Sequence, residues 1–132
     1  MQNTNLLHCA SPEKLIRGEN AWSESKSMIP FICKKVILLG RSLSTSKARN
    51  KIANDLIKIG VSVLQEDLKY GCCEIDLKRI ISLANAINCD GIIASGGGKV
   101  LDAGKLIADR LNIPCITIPL SPSTCAGWTA LS

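Results

Sequence analysis

The densest chemical signal in the chain is Ser95-Gly96-Gly97-Gly98-Lys99. Three consecutive glycines carry no Cβ, so their backbone amides can come close to an anion. The apolar run Ile92-Ile93-Ala94 stands before them and a helix-forming stretch follows at once. The loop therefore falls at a strand's carboxyl end and a helix's amino end, where the helix dipole is positive. A plain tight turn is the competing reading, and the flanking elements favour phosphate binding over it. Neither common glycine fingerprint describes the loop. Val100 follows Gly98-Lys99 where a Walker A loop needs Ser or Thr, and Ile93 stands where its first glycine would. The usual dinucleotide fingerprint follows the first strand, yet here Gly40 leads into Arg41-Ser42-Leu43.

The seven cysteines, Cys9, Cys33, Cys72, Cys73, Cys89, Cys115 and Cys125, contain no C-x-x-C pair, and His8 is the only histidine. That spacing offers no zinc site. Residues 1–10 are polar and lack the apolar segment of a secretory signal, so the expectation is a reduced, cytoplasmic protein. Most of the thiols then read as small buried hydrophobes. Cys72-Cys73 reads as a reduced loop pair rather than a redox couple.

A length of 132 residues with 46% hydrophobic content suits one domain and excludes a disordered tail. Aromatics are only 3%, so aliphatic side chains must build the core, and platforms for stacking bases are not expected. The net charge of +5 is scattered. Lys47, Arg49, Lys51 and Lys58 read as the solvated side of the first crossover helix, and Lys34-Lys35 precede a strand, so no nucleic-acid partner is expected. No apolar run approaches the roughly 20 residues that span a bilayer, so no membrane partner is expected either.

Short apolar runs alternate with helical periodicity, the pattern of a parallel sheet with crossover helices. Strands are expected at 36–39, 61–64, 92–94 and 115–118, with 14–18 as an edge strand. Helices are expected at 20–31, 47–59, 74–88 and from Lys99 onward. Their inward stripes are Ala48, Ile52, Leu56, Ile59; Leu77, Ile80, Ala84, Ile87; and Val100, Gly104, Ile107, Ala108, Leu111. Gly60 suits a helix C-cap. Residues 120–132 read as a loop in which Ala130-Leu131-Ser132 begins another element.

Gly96-Gly97-Gly98-Lys99-Val100-Leu101-Asp102-Ala103-Gly104-Lys105 closely resembles the G-G-G-K-x-x-D-x-x-K loop of the glycerol dehydrogenase branch of iron-containing alcohol dehydrogenases. Ser11-Pro12, Ile16-Arg17-Gly18, the Val36 to Gly40 strand, Gly71-Cys72-Cys73-Glu74-Ile75, Pro114 to Pro119, Ser123-Thr124-Cys125-Ala126 and Ala130-Leu131-Ser132 follow in the family's order. The resemblance implies an α/β, three-layer Rossmann-like domain with a mainly parallel sheet and helices on both faces, like the N-terminal domain of dehydroquinate synthase. It implies hydride transfer between NAD or NADP and a small alcohol or polyol, and leaves homo-oligomerisation open. Full-length members hold a divalent metal, zinc or iron, through one Asp and two His of a C-terminal helical domain. Residues 1–132 are then an incomplete, N-terminal dinucleotide-binding domain, inactive alone. The alternatives are a fragment of a dehydroquinate synthase-like lyase and a non-catalytic nucleotide-binding module.

Carried over, Gly96, Gly97, Gly98, Lys99 and Val100 would cradle the pyrophosphate. Leu120, Ser121 and Ser123 would line the nicotinamide side, with Thr129 and Leu131 beside them. Asp102 and Lys105 match the family's helix positions, with a solvated pair as the bland alternative. Two positions depart from the pattern. Cys125 replaces an Asp of the substrate pocket, and a thiol cannot accept from a diol as a carboxylate does. Arg41 replaces the acidic residue that takes the adenosine ribose of NAD, and an Arg there suits a 2′-phosphate.

Overall fold

The computed structural model describes residues 14–17, 21–120 and 128–131. In chain order these form β1 (Lys14–Arg17), α1 (Ala21–Ser25), a 3-10 segment (Lys26–Phe31), β2 (Lys35–Gly40), a 3-10 turn (Leu43–Thr45), α2 (Ser46–Lys58), β3 (Ser62–Asp67), α3 (Glu74–Ile87), β4 (Gly91–Gly96), α4 (Gly98–Leu111), β5 (Cys115–Pro119) and β6 (Trp128–Leu131). One sheet runs β1-β6-β5-β4-β2-β3. Strands β2 to β5 are mutually parallel, whereas β6 pairs antiparallel with both β5 and β1.

The period of two along the central strands divides the core. Val36 and Leu38 of β2 face Ile52, Ala53 and Leu56 of α2 on one side. Ile37 and Leu39 face Leu77 and Ile80 of α3 and Ile107 of α4 on the other. Each such Leu or Ile, fully buried, contributes about 1.5–3 kcal/mol relative to exposure. The sheet thus has helices on both faces, the expected three-layer α/β architecture. Handedness explains which helix goes where. The chain moves one way from β2 to β3 over α2, then reverses from β3 to β4 to β5 over α3 and α4. Right-handed crossovers require that reversal to change faces.

Several elements differ from the expectations. The expected helix 20–31 is α-helical only to Ser25. Pro30 lies within the following 3-10 segment, where its ring and missing N–H are incompatible with an α ladder. Ser25 Oγ also donates to Ala21 O at 2.7 Å, a back-bond that bends helices. β3 continues through Gln65-Glu66 to Asp67, because a strand at the sheet edge need not be apolar. Ile59, expected to face inward, is exposed at its helix end, Leu111 is half-buried and packs against the core as expected, and Ala103 joins that core. Residues 128–131, expected mostly as loop, are a full strand between β5 and β1.

Among the five described cysteines only Cys33 and Cys115 are buried, Cys73 and Cys89 are intermediate, and Cys72 is exposed. The expectation that most thiols are core groups therefore fails among these residues. The local reason at Cys72 and Cys73 is their place in the turn before α3, outside both packed faces. Arg49 departs in the other direction. Expected on the solvated side of α2, it is only 4% exposed.

Candidate functional site

Strand order reverses direction between β2 and β4, and a crevice opens at their carboxyl ends. In open α/β sheets that switch point is where ligands bind. Here it is a cleft of about 300 Å³. Arg41, Ser42, Ser44 and Thr45 form one wall, and Gly96, Gly97, Gly98, Lys99, Val100 and Leu120 the other.

The glycine wall is built to present backbone. Gly96 has φ +146°, which side-chain-bearing residues rarely adopt, and a Cβ there would also approach Val100 Cγ2 to 3.3 Å. Gly97 is the N-cap of α4, and the N–H groups of Val100 and Leu101 donate to its carbonyl, each at 3.1 Å. A Cβ at Gly97 or Gly98 would meet nothing within 4 Å, so these two face open space. The first N–H groups of α4 have no partner within the helix, and Gly97, Gly98 and Lys99 at that end line the cleft. Two bonds fix the wall: Ser95 Oγ donates to Leu39 O at 3.1 Å, and Leu120 N to Gly96 O at 3.0 Å.

Two cations line the same cleft. Side chains of Arg41 and Lys99 both pass Gly71, where a Cβ would lie 3.4 Å from Arg41 Nη1 and 3.3 Å from Lys99 Cδ. Neither takes part in an ion pair among the described residues. The turn carrying Gly71 is held by the buried Asp76, whose Oδ2 accepts from Tyr70 N at 2.7 Å and Gly71 N at 3.0 Å. Burial pushes the Asp76 carboxyl up, but those donors, Lys69 N and the Arg79 charge outweigh it, so it stays below the usual carboxylate range.

Of the residues singled out from sequence, Arg41, Gly96, Gly97, Gly98, Lys99, Val100 and Leu120 line this one cleft. Ser121, Ser123 and Cys125 lie outside the described residues. Thr129 and Leu131 belong to β6, where Leu131 pairs with Ile116, well before the end of β5 at Pro119. Asp102 and Lys105 are exposed on α4 and do not line the cleft. Sequence reasoning missed Ser42, Ser44 and Thr45 as wall residues, since a Ser/Thr segment before a helix also suits capping. Ser42 does cap, accepting from Ser44 N at 3.2 Å, and the signal for its second role was its place just after a strand's carboxyl end.

Among the described residues no three His, Cys, Asp or Glu side chains come together as metal ligands, and the whole sequence has one histidine. The residues described do not fit the family's metal. No described helix is long and apolar enough to cross a membrane.

Residues 12–132 match the family model of iron-containing alcohol dehydrogenases. The chain belongs to that family. Glycerol dehydrogenase of Citrobacter freundii is 28% identical over 122 residues, which cover 92% of this chain and 33% of that protein. Glycerol dehydrogenase 1 of Schizosaccharomyces pombe is 30% identical over 125 residues, covering 92% and 27%. The crystal structure of the glycerol dehydrogenase from Schizosaccharomyces pombe superposes with a TM-score of 0.70 at 25% identity, over 79% of this chain and 26% of that one. This iron-containing alcohol dehydrogenase chain spans about a third of the length of such curated relatives.

Proposed function

We propose that the chain is the NAD(P)-binding portion of a metal-dependent alcohol or polyol dehydrogenase, and that the switch-point cleft receives the dinucleotide. The observation that carries this is the glycine wall: Gly97 and Gly98 are exposed at the start of a 14-residue helix, and Arg41 and Lys99 line the same cleft. Gly96, Gly97, Gly98, Lys99 and Val100 would hold the pyrophosphate. Leu120, with Ser121, Ser123, Thr129 and Leu131, would border the nicotinamide, and Cys125 the substrate. The cofactor supplies the hydride acceptor. The metal ligands that polarise an alcohol belong, on this reading, to a helical region outside these residues. The family match favours this reading over a lyase of the dehydroquinate synthase kind.

Arg41 carries the choice of cofactor. It follows Gly40 at the end of β2, is exposed, and has no acidic partner among the described residues. The expected ligand is the 2′-phosphorylated dinucleotide at least as readily as the plain one.

Titration with NADH and NADPH, read by cofactor fluorescence, tests the site through Gly97→Val. A Cβ there meets no protein atom within 4 Å, and a branched side chain would cover the amides, so circular dichroism should be unchanged. Losing two charge-assisted bonds of about 1.5–3 kcal/mol each should weaken binding roughly a hundredfold or more. Unchanged affinity in the folded variant would reduce the glycines to a turn.

A further inference from the structure

Arg49 is a buried guanidinium that the proposed site does not use directly. It lies on α2, behind the arch of residues 41–45 that forms one wall of the cleft, and is absent from the lining itself. Its Nη1 donates to Ser42 O at 2.9 Å and to Thr45 Oγ1, and its Nη2 stands 3.5 Å from Asp67 Oδ1. Thr45 Oγ1 and Thr45 N donate to the same Ser42 carbonyl, at 3.1 and 3.3 Å. One carbonyl next to Arg41 therefore gathers three donors. The Arg49 side chain fills the space beside Gly40, so that a Cβ on Gly40 would fall among its Nε, Cδ and Cζ. A side chain at the end of β2 would have to displace Arg49.

We infer that Arg49 is a positioning residue for cofactor choice: by bracing the Ser42–Thr45 arch it directs Arg41 toward the adenosine end of the cleft. This rests on the reading of the cleft as a dinucleotide site. Arg49 also faces Asp67, the last residue of β3, which pairs with Gly40 across the sheet. A carboxylate there would repel a 2′-phosphate and could accept from ribose hydroxyls. The guanidinium offsets that charge, so both of its contacts favour the phosphorylated ligand. Lys cannot replace it, because an ammonium is a point donor and cannot span Ser42, Thr45 and Asp67 as a planar fork does.

The test uses the protein with Arg49→Lys and, separately, Gly40→Ala, which displaces the guanidinium while leaving it in the sequence. Dissociation constants for NADPH and NADH are measured for each, with thermal melts as the control for folding. The expected result is a fall of about tenfold or more in the NADPH-to-NADH preference, with NADH affinity within about threefold of wild type. The double variant should lose little more than either single one, because both remove the same arrangement. An unchanged preference overturns the inference. So does equal weakening of both cofactors, which marks a purely structural arginine. If Arg49→Lys fails to fold, Gly40→Ala carries the same comparison. A wild-type protein that binds neither cofactor overturns the proposed site itself, a result distinct from the others.

Discussion

Two glycines of the α4 region differ by what surrounds them. Gly97 opens into the cleft, whereas Gly104 faces β4, where a Cβ would lie 2.5 Å from Ala94 Cβ and 3.7 Å from Ile92 Cγ2. Gly104→Ala should therefore act on stability and leave the cleft's chemistry alone. Overpacking costs about 1–3 kcal/mol and the gain in helix propensity returns about 1, so a net loss near 1 kcal/mol is expected in denaturant titration. The cysteines divide in the same way. Burial, with the Asp90 charge adding to it, pushes the Cys33 thiol up to about 12, and burial pushes Cys115 up to about 12. Both stay protonated at pH 8, while Cys72 is exposed. Alkylation of the native chain followed by peptide mass spectrometry should label Cys72 well before Cys33 and Cys115, which should be slower by about a hundredfold or more. Labelling of Cys33 or Cys115 at the rate of Cys72 would contradict the packing of both core faces.

Elements buried on both faces were legible in the sequence, because burial leaves an uninterrupted apolar run: Val36-Ile37-Leu38-Leu39 and Ile92-Ile93-Ala94 announced β2 and β4. The glycine loop was legible for the same reason, since strand and helix left it only one place. What escaped depended on neighbours distant in sequence. Gln65-Glu66-Asp67 is a strand because β2 lies beside it, and Trp128–Leu131 because β5 and β1 leave a gap between them. Arg49 reads as a surface charge on any helical wheel, and the groups packed on it, Gly40, Ser42, Thr45 and Asp67, all lie outside α2. The turn at Lys69–Gly71 likewise depends on a partner from the next helix, Asp76. Its carboxyl titrates below the usual range, so its contribution is present above about pH 4, the unfolded value, and is lost as pH falls through the lower folded value. Asp76→Asn should cost about 1–3 kcal/mol at pH 7, and the gap to wild type should narrow below about pH 4. Melts across that range decide it. A gap that widened on acidification would mean that the carboxylate is not the group holding the turn.

At the scale of the molecule, binding and chemistry separate. The sheet, its two helical layers and the cleft between β2 and β4 are all contained in residues 14–131. Alcohol oxidation in this family needs more than a dinucleotide. The divalent metal of full-length members would supply Lewis-acid polarisation of the alcohol oxygen. That metal needs several hard or imidazole ligands held together. Here the sequence has one histidine, His8, and the described residues gather no such cluster. The 132-residue chain by itself is therefore expected to bind dinucleotide and not to turn over alcohol. The measurement pairs a cofactor titration with a steady-state assay of NAD and NADP reduction, using glycerol and related diols with zinc or iron supplied. Saturable binding with reduction no faster than the protein-free blank is the expected outcome. Metal-dependent reduction by this chain alone would overturn its assignment as the cofactor-binding portion, because some of its own residues would then have to hold the metal. Gly97→Val shows whether any reduction observed runs through the cleft: an activity that survives loss of binding there would come from elsewhere.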